Sequence, residues 1–216
     1  MTRDMQKTSR RAAYTLAAGA AAGLAGQTDA DASSISFSGP QDIDIAQFGS
    51  LDLNIDGDAF TDVLLKNYVF AGGNYQGASV NGAPGQLAIS NGSFPYYVTA
   101  LSEGDLIDST TVGPSFAGSL AYSTVNPNAE FGDIDGGLIG LSFPIGGNAP
   151  QFLHFGWIRV SIDNAAGTFV VNEWAYNTVP GEGILAGQVP EPSTLGLLAA
   201  GALGVGAMRR RRDTHC

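Results

Sequence analysis

Oxygen-bearing side chains are concentrated in one short stretch of the chain, residues 52–62, which reads DLNIDGDAFTD. Its acidic and amide residues are Asp52, Asn54, Asp56, Asp58 and Asp62. Carboxylate and amide oxygens are the ligands that Ca²⁺ takes in proteins, and a glycine such as Gly57 permits the sharp bend of a calcium-binding loop. The stretch is therefore the strongest candidate for a metal site, with calcium as the candidate ion.

The same stretch has a second interpretation as a strand that enters a turn. Leu51, Leu53 and Ile55 alternate with the polar residues, which is typical of a half-exposed β-strand leading into an Asp-Gly turn. The D-x-N-x-D-G start resembles the calcium loops of EF-hand, dockerin and integrin-like propeller proteins. The closing acid differs, because Asp62 is the eleventh residue from Asp52 and an EF-hand has its acid at the twelfth. Both interpretations stay open, and they are compatible.

Residues for catalysis are harder to find. Glu130 and Glu173 are candidates for the carboxylate pair of a glycoside hydrolase or lyase, but a solvated acidic face is the simpler explanation. His154 is the only histidine ahead of the C-terminal tail, no Gly-x-Ser-x-Gly motif accompanies it, and the only cysteine is Cys216. We therefore expect no enzymatic activity, and a β-sandwich glycoside hydrolase or lyase is the least favoured alternative.

The elements that would position these residues are short strands. Between residues 33 and 189, apolar or alternating runs are separated by Gly, Asn, Asp and Pro, with no ten-residue amphipathic helix. This pattern predicts an all-β fold, a single antiparallel β-sandwich of jelly-roll-like or lectin-like type, flanked by an N-terminal signal helix and a C-terminal hydrophobic helix. Residues 71–85 and 123–137 are predicted to be turn-rich connections.

The clearest unit is the segment FGWIRVSIDNAAGTFVVNEWAY, residues 155–176. Two β-rich runs flank DNAAG, whose Asn and Gly suit a tight reversal, so the segment is predicted to form a hairpin. Both faces of its first strand carry bulky side chains, so we expect the strand pair to be central and covered on each side. Trp157 and Trp174 are accordingly predicted to be packing residues, and His154 a structural strand residue.

The charge balance restricts the partners of the chain. Between residues 33 and 189, fifteen acidic residues stand against Lys66 and Arg159, which gives a net charge of about −13. A surface this negative repels nucleic acid and anionic lipid, so nucleic-acid binding is excluded. Because this region has no cysteine pair, it must be held together by its core, with or without a bound metal ion.

The N-terminal residues 1–32 have the pattern of an export signal. Basic residues precede a short run of small apolar residues, and Ala30 and Ala32 supply the small-x-small pattern that signal peptidase accepts. We expect Ser33 to be the first residue after cleavage. The segment SRRAAYTLA also resembles a twin-arginine signal, so the twin-arginine and the general secretory export machinery both stay open.

The C-terminal residues 189–212 combine an extended start, an uncharged run and a basic end. The residues at the two ends are Pro190, Glu191, Pro192 and Ser193, then Arg209, Arg210, Arg211 and Arg212. As a helix, the uncharged residues 194–208 would span about 22 Å, which is short of a hydrocarbon core of roughly 30 Å. The prolines keep the preceding segment extended and open to a peptidase, and the arginines hold the far end in the cytoplasm.

This tripartite arrangement resembles the PEP-CTERM sorting signal of exported proteins. The resemblance implies that a short transmembrane helix holds the protein in the inner membrane until exosortase, a membrane-embedded transpeptidase, cuts near Pro190, Glu191 and Pro192. It further implies transfer to the cell surface or extracellular matrix and an association with exopolysaccharide or biofilm. The predicted organisation is an export signal (1–32), a β-sandwich domain (33–188), the sorting signal (189–212) and a short tail (213–216).

Together these features predict an exported, non-enzymatic surface or matrix protein. Its predicted partners are the export machinery, signal peptidase, the inner membrane, exosortase and an exopolysaccharide. The alternative from a different class is a calcium-dependent carbohydrate-binding or adhesion module, in which residues 52–62 hold the ion.

Overall fold

The computed structural model describes residues 34–90 and 95–190. Its strands are β1 (Ile35–Phe37), β2 (Ile43–Asp44), β3 (Gly49–Leu53), β4 (Val63–Phe70), β5 (Gly73–Val80), β6 (Gln86–Leu87), β7 (Ala100–Leu101), β8 (Leu106–Ile107), β9 (Ala117–Tyr122), β10 (Asp133–Pro144), β11 (Leu153–Asp163), β12 (Thr168–Asn177) and β13 (Ile184–Leu185). A single turn of 3₁₀ helix, Pro150–Phe152, precedes β11. The described residues are therefore all-β, as predicted.

The predicted terminal helices lie outside the described residues. So do the predicted cleavage residues Ala30, Ala32 and Ser33, and most of the predicted sorting signal. Within 34–90 and 95–190, no helix has the length and apolar character needed to cross a membrane.

The strands form two main antiparallel sheets and one small one. The larger sheet has β10, β11 and β12 at its centre. The short strands β1 and β2 pair with the free edge of β12, and the short strands β6 and β7 pair with the free edge of β10. The second sheet has the order β3-β4-β5-β9, and β8 and β13 form a two-stranded sheet. Short edge strands are a common way to limit unwanted pairing with other chains.

The predicted hairpin is confirmed as β11 and β12, joined by residues 164–167. Gly167 has a φ of +74°, the left-handed conformation that favours glycine in a tight reversal. The two faces of β11 enter different apolar clusters, with Ile158 and Val160 in one and Trp157 in the other. The hairpin is thus covered on both sides, as its two bulky faces predict.

The main apolar cluster takes residues from both larger sheets. Leu65 of β4 and Leu120 of β9 come from one sheet, and Ile139, Phe143 and Ile158 from the other. All five side chains are at most 1% exposed. In β4, buried and partly buried residues alternate, because a strand with one face on a core buries every second side chain.

The prediction of a turn-rich connection over residues 71–85 is wrong for β5, which is paired along both edges, with β4 and with β9. Its glycines obscured the alternation that buries Gln76, Ala78 and Val80. Gly77 is required there, because the ring of Tyr75 occupies the space of a side chain. The prediction for residues 123–137 is wrong from Asp133 onward, where β10 begins with a register shift that the sequence pattern does not reveal.

Buried amides join the β11–β12 turn to the second sheet. Asn164 accepts hydrogen bonds from the backbone N–H and the hydroxyl of Ser123, at 2.8 and 2.9 Å, and donates to Gln76 Oε1. Gln76 in turn donates to Asn67 Oδ1 at 2.9 Å, and Asn67 donates to the carbonyl of Gly167 at 2.8 Å. We call Asn67, Gln76 and Asn164 the amide network; each is at most 6% exposed.

Candidate functional site

The structure places the five candidate calcium ligands on one strand and the loop that follows it. Asp52 is exposed on β3 opposite Leu64, and the other four lie in residues 54–62, which connect β3 to β4 and are called the Asp loop. The interpretation of a half-exposed strand is therefore confirmed. The connection is nine residues long and not a tight Asp-Gly turn.

Side chains of the Asp loop bond to the loop's own backbone. Asn54 Oδ1 accepts from the N–H of Gly57 at 2.7 Å, Asp56 Oδ1 from the N–H of Asp58 at 2.9 Å, and Asp58 Oδ1 from the N–H of Phe60 at 2.6 Å. Asn54 also donates to the carbonyl of Asp58. Such local bonds replace the ladder bonds that a loop lacks, and they explain the Asx-rich composition without a ligand.

Asp62 is the buried acid of the Asp loop, with 6% of its surface exposed. Its Oδ2 accepts a hydrogen bond from the N–H of Ile55 at 2.6 Å and a longer one from that of Asp56 at 3.4 Å. Burial raises the pKa of Asp62 to about 6; the hydrogen bond from Ile55 opposes the rise, and the negative charges of Asp56 and Asp58 add to it.

The residues present would fit calcium only with help from the backbone. Ca²⁺ takes six to eight oxygen ligands. In the described part of the chain, no three His, Cys, Asp or Glu side chains gather closely enough to hold a metal ion. Asn54 and loop carbonyl oxygens would have to complete such a site, so calcium binding stays a prediction.

Two clefts share Asn81 and Gly82 as lining residues, and the first of them adjoins the Asp loop. The first encloses about 520 Å³ and is lined by Asp58, Phe60, Thr61, Asp62, Asn81, Gly82, Pro144, Gly146, Gly147 and Asn148. The second encloses about 430 Å³ and is lined by Val80, Asn81, Gly82, Ala83, Pro84, Gly85, Gln86, Pro114 and Phe116. We call the two clefts together the groove. The sequence did not indicate it, because its lining comes from four separate segments.

The groove carries two exposed phenylalanines, one in each cleft. Phe60 of the Asp loop is 73% exposed, and Phe116, just ahead of β9, is 62% exposed. An exposed phenylalanine loses the free energy that burial would supply, about 2 kcal/mol. Each ring therefore contributes nothing to the core and leaves an apolar surface in the groove.

The carboxylates considered for glycoside hydrolysis lie outside the groove. Glu173 pairs with Arg159 at 2.9 Å, and the same guanidinium binds Glu103 at 2.6 Å. Glu130 accepts a hydrogen bond from the backbone N–H of Ala100 at 2.7 Å. Both acids thus have partners within the fold, and neither lines a groove wall.

His154 and the two tryptophans have the packing roles predicted for them. His154 is 6% exposed, packs against the rings of Phe143 and Tyr176, and has Nδ1 2.8 Å from the carbonyl oxygen of Asn177. Trp157 is fully buried, and Trp174 packs partly buried against the main cluster. His154 and Trp157 are too buried to offer a base or a stacking surface to a ligand, whereas Trp174 is partly exposed.

The chain is held firmly up to the start of the predicted sorting signal. β13 pairs with β8, the N–H of Gly104 donates to the carbonyl of Ala186 at 2.9 Å, and the indole of Trp157 donates to the carbonyl of Gln188 at 3.1 Å. Val189 is already 40% exposed. Of the predicted signal residues, Pro190 is described, while Glu191, Pro192, Ser193 and Arg209 to Arg212 lie outside the described residues.

Comparison with known proteins identifies this end of the chain. Residues 188–212 match the family model of the PEP-CTERM protein-sorting motif. The match begins one residue ahead of the predicted signal and ends at the same arginine. Comparisons with curated proteins and with solved structures found no match to the chain.

Proposed function

The chain carries the sorting signal of exported proteins that exosortase processes, and on this premise we propose that it is a non-enzymatic protein of the cell surface or extracellular matrix. In this proposal exosortase cuts near Pro190, Glu191 and Pro192, and the β domain is delivered intact to an exopolysaccharide or biofilm. The single observation that carries the proposal is the sorting motif, which begins at the last anchored residue, Gln188.

The remainder of the chain supports a binding role more than a catalytic one. The two larger sheets share one apolar cluster, which supports the β-sandwich within this proposal. Glu130, Glu173 and His154, the residues weighed for catalysis, all have structural partners. The only basic residues between 33 and 189 are Lys66 and Arg159, so the domain is suited to solubility and to neutral or cationic partners.

Intact-mass analysis of the surface form tests the proposal. We expect the recovered protein to lack the arginine cluster, and a Pro190→Ala/Pro192→Ala double variant to accumulate with the cluster still attached. Pro180→Ala, an exposed proline within the domain, is the matched control and should be processed normally. Recovery of wild-type surface protein that still ends in MRRRRDTHC would contradict processing.

A calcium-dependent carbohydrate-binding or adhesion module is the second candidate function. It is favoured by one observation, the placement of Asn54, Asp56, Asp58 and Asp62 on one nine-residue loop beside the groove. A glycoside hydrolase or lyase using Glu173 ranks below both candidates.

Thermal unfolding with and without calcium tests the second candidate. For a site of the affinity typical of extracellular modules, 10 mM Ca²⁺ should stabilise the protein by about 2 kcal/mol. Asp56→Ala should abolish this gain, and Asp44→Ala, an exposed acid on β2, should preserve it. An unchanged Tm in wild-type protein at 10 mM Ca²⁺ would exclude the calcium site.

A further inference from the structure

The aromatic surface of the groove differs from the other aromatic surface of the domain. On the outer face of β4, β5 and β9, Phe70 lies 5.5 Å from Tyr75 and 6.2 Å from Tyr122, with ring planes 58° and 73° apart. These rings pack against one another, in one tilted and one T-shaped pair. Phe60 and Phe116 pack against no other ring among the described residues, so their faces are open to a ligand.

Amide groups that line the groove have capacity for further hydrogen bonds. Within the described residues, the side chains of Gln86 and Asn148 make no hydrogen bond, although each lines a cleft. Asn81, which lines both clefts, uses one N–H to bind the carbonyl of Thr61 at 3.0 Å and retains its oxygen. Amides donate and accept at once, as a ligand rich in hydroxyl groups requires.

The charges around the groove select the class of ligand. The carboxylates of Asp58 and Asp62 line it, and neither Lys66 nor Arg159 does. An anionic polymer would therefore meet like charge without any compensating cation, which is unfavourable. Apolar rings combined with amides and acids suit a neutral ligand that has both C–H faces and hydroxyl groups.

We infer that the groove binds a neutral polysaccharide, with Phe60 and Phe116 stacking on sugar rings and Asn81, Gln86 and Asn148 binding hydroxyl groups. The two cleft volumes lie within the range of about 300–1,000 Å³ that small-molecule sites occupy, which is room for a short run of sugar units. This inference deepens the proposed function and rests on it, since it supplies the contact by which the exported domain would hold a matrix polymer.

Affinity electrophoresis of the full chain in mild detergent tests the inference. The gels contain one of four neutral polysaccharides (soluble β-glucan, dextran, galactomannan or xylan) or anionic alginate as the charged control. We expect retardation by at least one neutral polymer and none by alginate. Phe60→Ala and Phe116→Ala should each weaken binding about tenfold, because each removes the burial of one aromatic ring.

Two further phenylalanine variants serve as controls. Phe48→Ala matches Phe60 in residue type and in its 73% exposure but lies outside the groove, and Phe70→Ala removes the centre of the other aromatic surface. Both should bind as the wild type does, and circular dichroism should show all four variants folded.

The possible outcomes separate the inference from the proposed function. Three results would overturn the groove as the binding site. In the first, none of the four neutral polymers retards the wild-type protein. In the other two, Phe48→Ala weakens binding as much as Phe60→Ala does, or Phe70→Ala alone weakens it. A lower sedimentation coefficient of Phe60→Ala without polymer would also overturn it, because the groove would then be a contact between copies. Polysaccharide binding by a chain that keeps its arginines at the cell surface would instead contradict the proposed sorting and leave the groove standing.

Discussion

The Asp loop between β3 and β4 and the turn between β11 and β12 are both rich in Asp, Asn and Gly, yet their side chains are used in different ways. In the Asp loop, Asn54, Asp56 and Asp58 bond to backbone groups two to four residues away. In the turn, Asn164 bonds across 41 residues to Ser123 and across 88 to Gln76. The first region therefore stabilises itself, and the second ties the hairpin to the other sheet.

The difference shows that Asx-rich composition marks a turn but not its role. A local bond can be exchanged for water when the loop is exposed, so its loss costs little. A buried amide that loses its partner leaves another buried polar group unsatisfied, and that costs more. Variants of the two regions should therefore differ in stability even where the substitution is the same.

The largest expected effect is that of Asn164→Ala. It leaves Gln76, which is fully buried, without its donor and removes two bonds to Ser123, so the free energy of unfolding should fall by about 3 kcal/mol. Urea denaturation measures the change, with Asn54→Ala as the matched Asn substitution in the Asp loop. If Asn164→Ala and Asn54→Ala lowered the free energy of unfolding equally, the turn and the Asp loop would not differ in how their side chains stabilise the fold.

Two glycines with similar backbone conformations extend the comparison. Gly167→Ala should cost about 2 kcal/mol, because a left-handed alanine is strained and its Cβ would also displace the exposed amide of Gln47 from its hydrogen bond to Asn74. Gly57→Ala has the same kind of strain, at a φ of +80°, but open space around it, so its cost should stay near 1 kcal/mol. Thermal unfolding of both variants, followed by circular dichroism, should rank them in that order.

The pH dependence of stability should identify Asp62 as the exception within the Asp loop. Its folded pKa of about 6 exceeds the ordinary value of 3.8, so the folded protein binds more protons than the unfolded chain between these values. This contribution to stability is complete below about pH 4 and is lost as the pH rises through 6; its size is on the order of 2 kcal/mol.

The variant Asp62→Asn isolates this contribution from the general charge of the domain. The variant keeps an oxygen that accepts from the N–H of Ile55. Its free energy of unfolding, measured by urea denaturation, should therefore equal that of wild type at pH 4.5 and exceed it at pH 7.5. Asp52→Asn, an exposed acid on β3, should follow the wild-type pH curve. If the free energies of unfolding of wild type and Asp62→Asn change with pH in parallel, burial does not shift the pKa of this acid.

The smallest effect is expected for the exposed caps of the Asp loop. Asp58→Ala removes the acceptor of the Phe60 N–H, in a setting where water can replace it, so the loss should be at most about 1 kcal/mol. Denaturation in 10 mM Ca²⁺ sharpens this test. If Asp58→Ala lowers the free energy of unfolding more in calcium than without it, the loop binds the ion and is not merely closed by its own side chains.

The sequence allowed local features to be predicted and left long-range partners undetermined. The β11–β12 hairpin, its covered faces and the alternation in β3 follow from residues that are neighbours in the chain, so their patterns are visible. The partners of Asn164 depend on where β5 and the end of β9 come to lie, and no periodicity encodes that placement. β5 itself was missed, because Gly73 and Gly77 resemble turn residues until their packing is seen.

The groove was beyond prediction for the same reason. Phe60 and Phe116 are 56 residues apart, and each by itself is an ordinary apolar residue beside a turn. The one available signal was their context, since Phe60 lies two residues from an aspartate on each side and Phe116 follows Pro114 and Ser115. The sorting motif, by contrast, was predictable, because it is a linear pattern of residue types that lie next to one another in the chain.

The attachment of the C-terminal segment has a mechanical consequence. A chain tethered through its processed C-terminus would receive any pulling force at Gln188, through the indole bond of Trp157 and the two-residue strand β13. This pairing is the shortest ladder in its path, so β13 should detach from β8 while the long strands β10, β11 and β12 stay paired. The domain could thus lengthen under load by a few residues before its core is stretched.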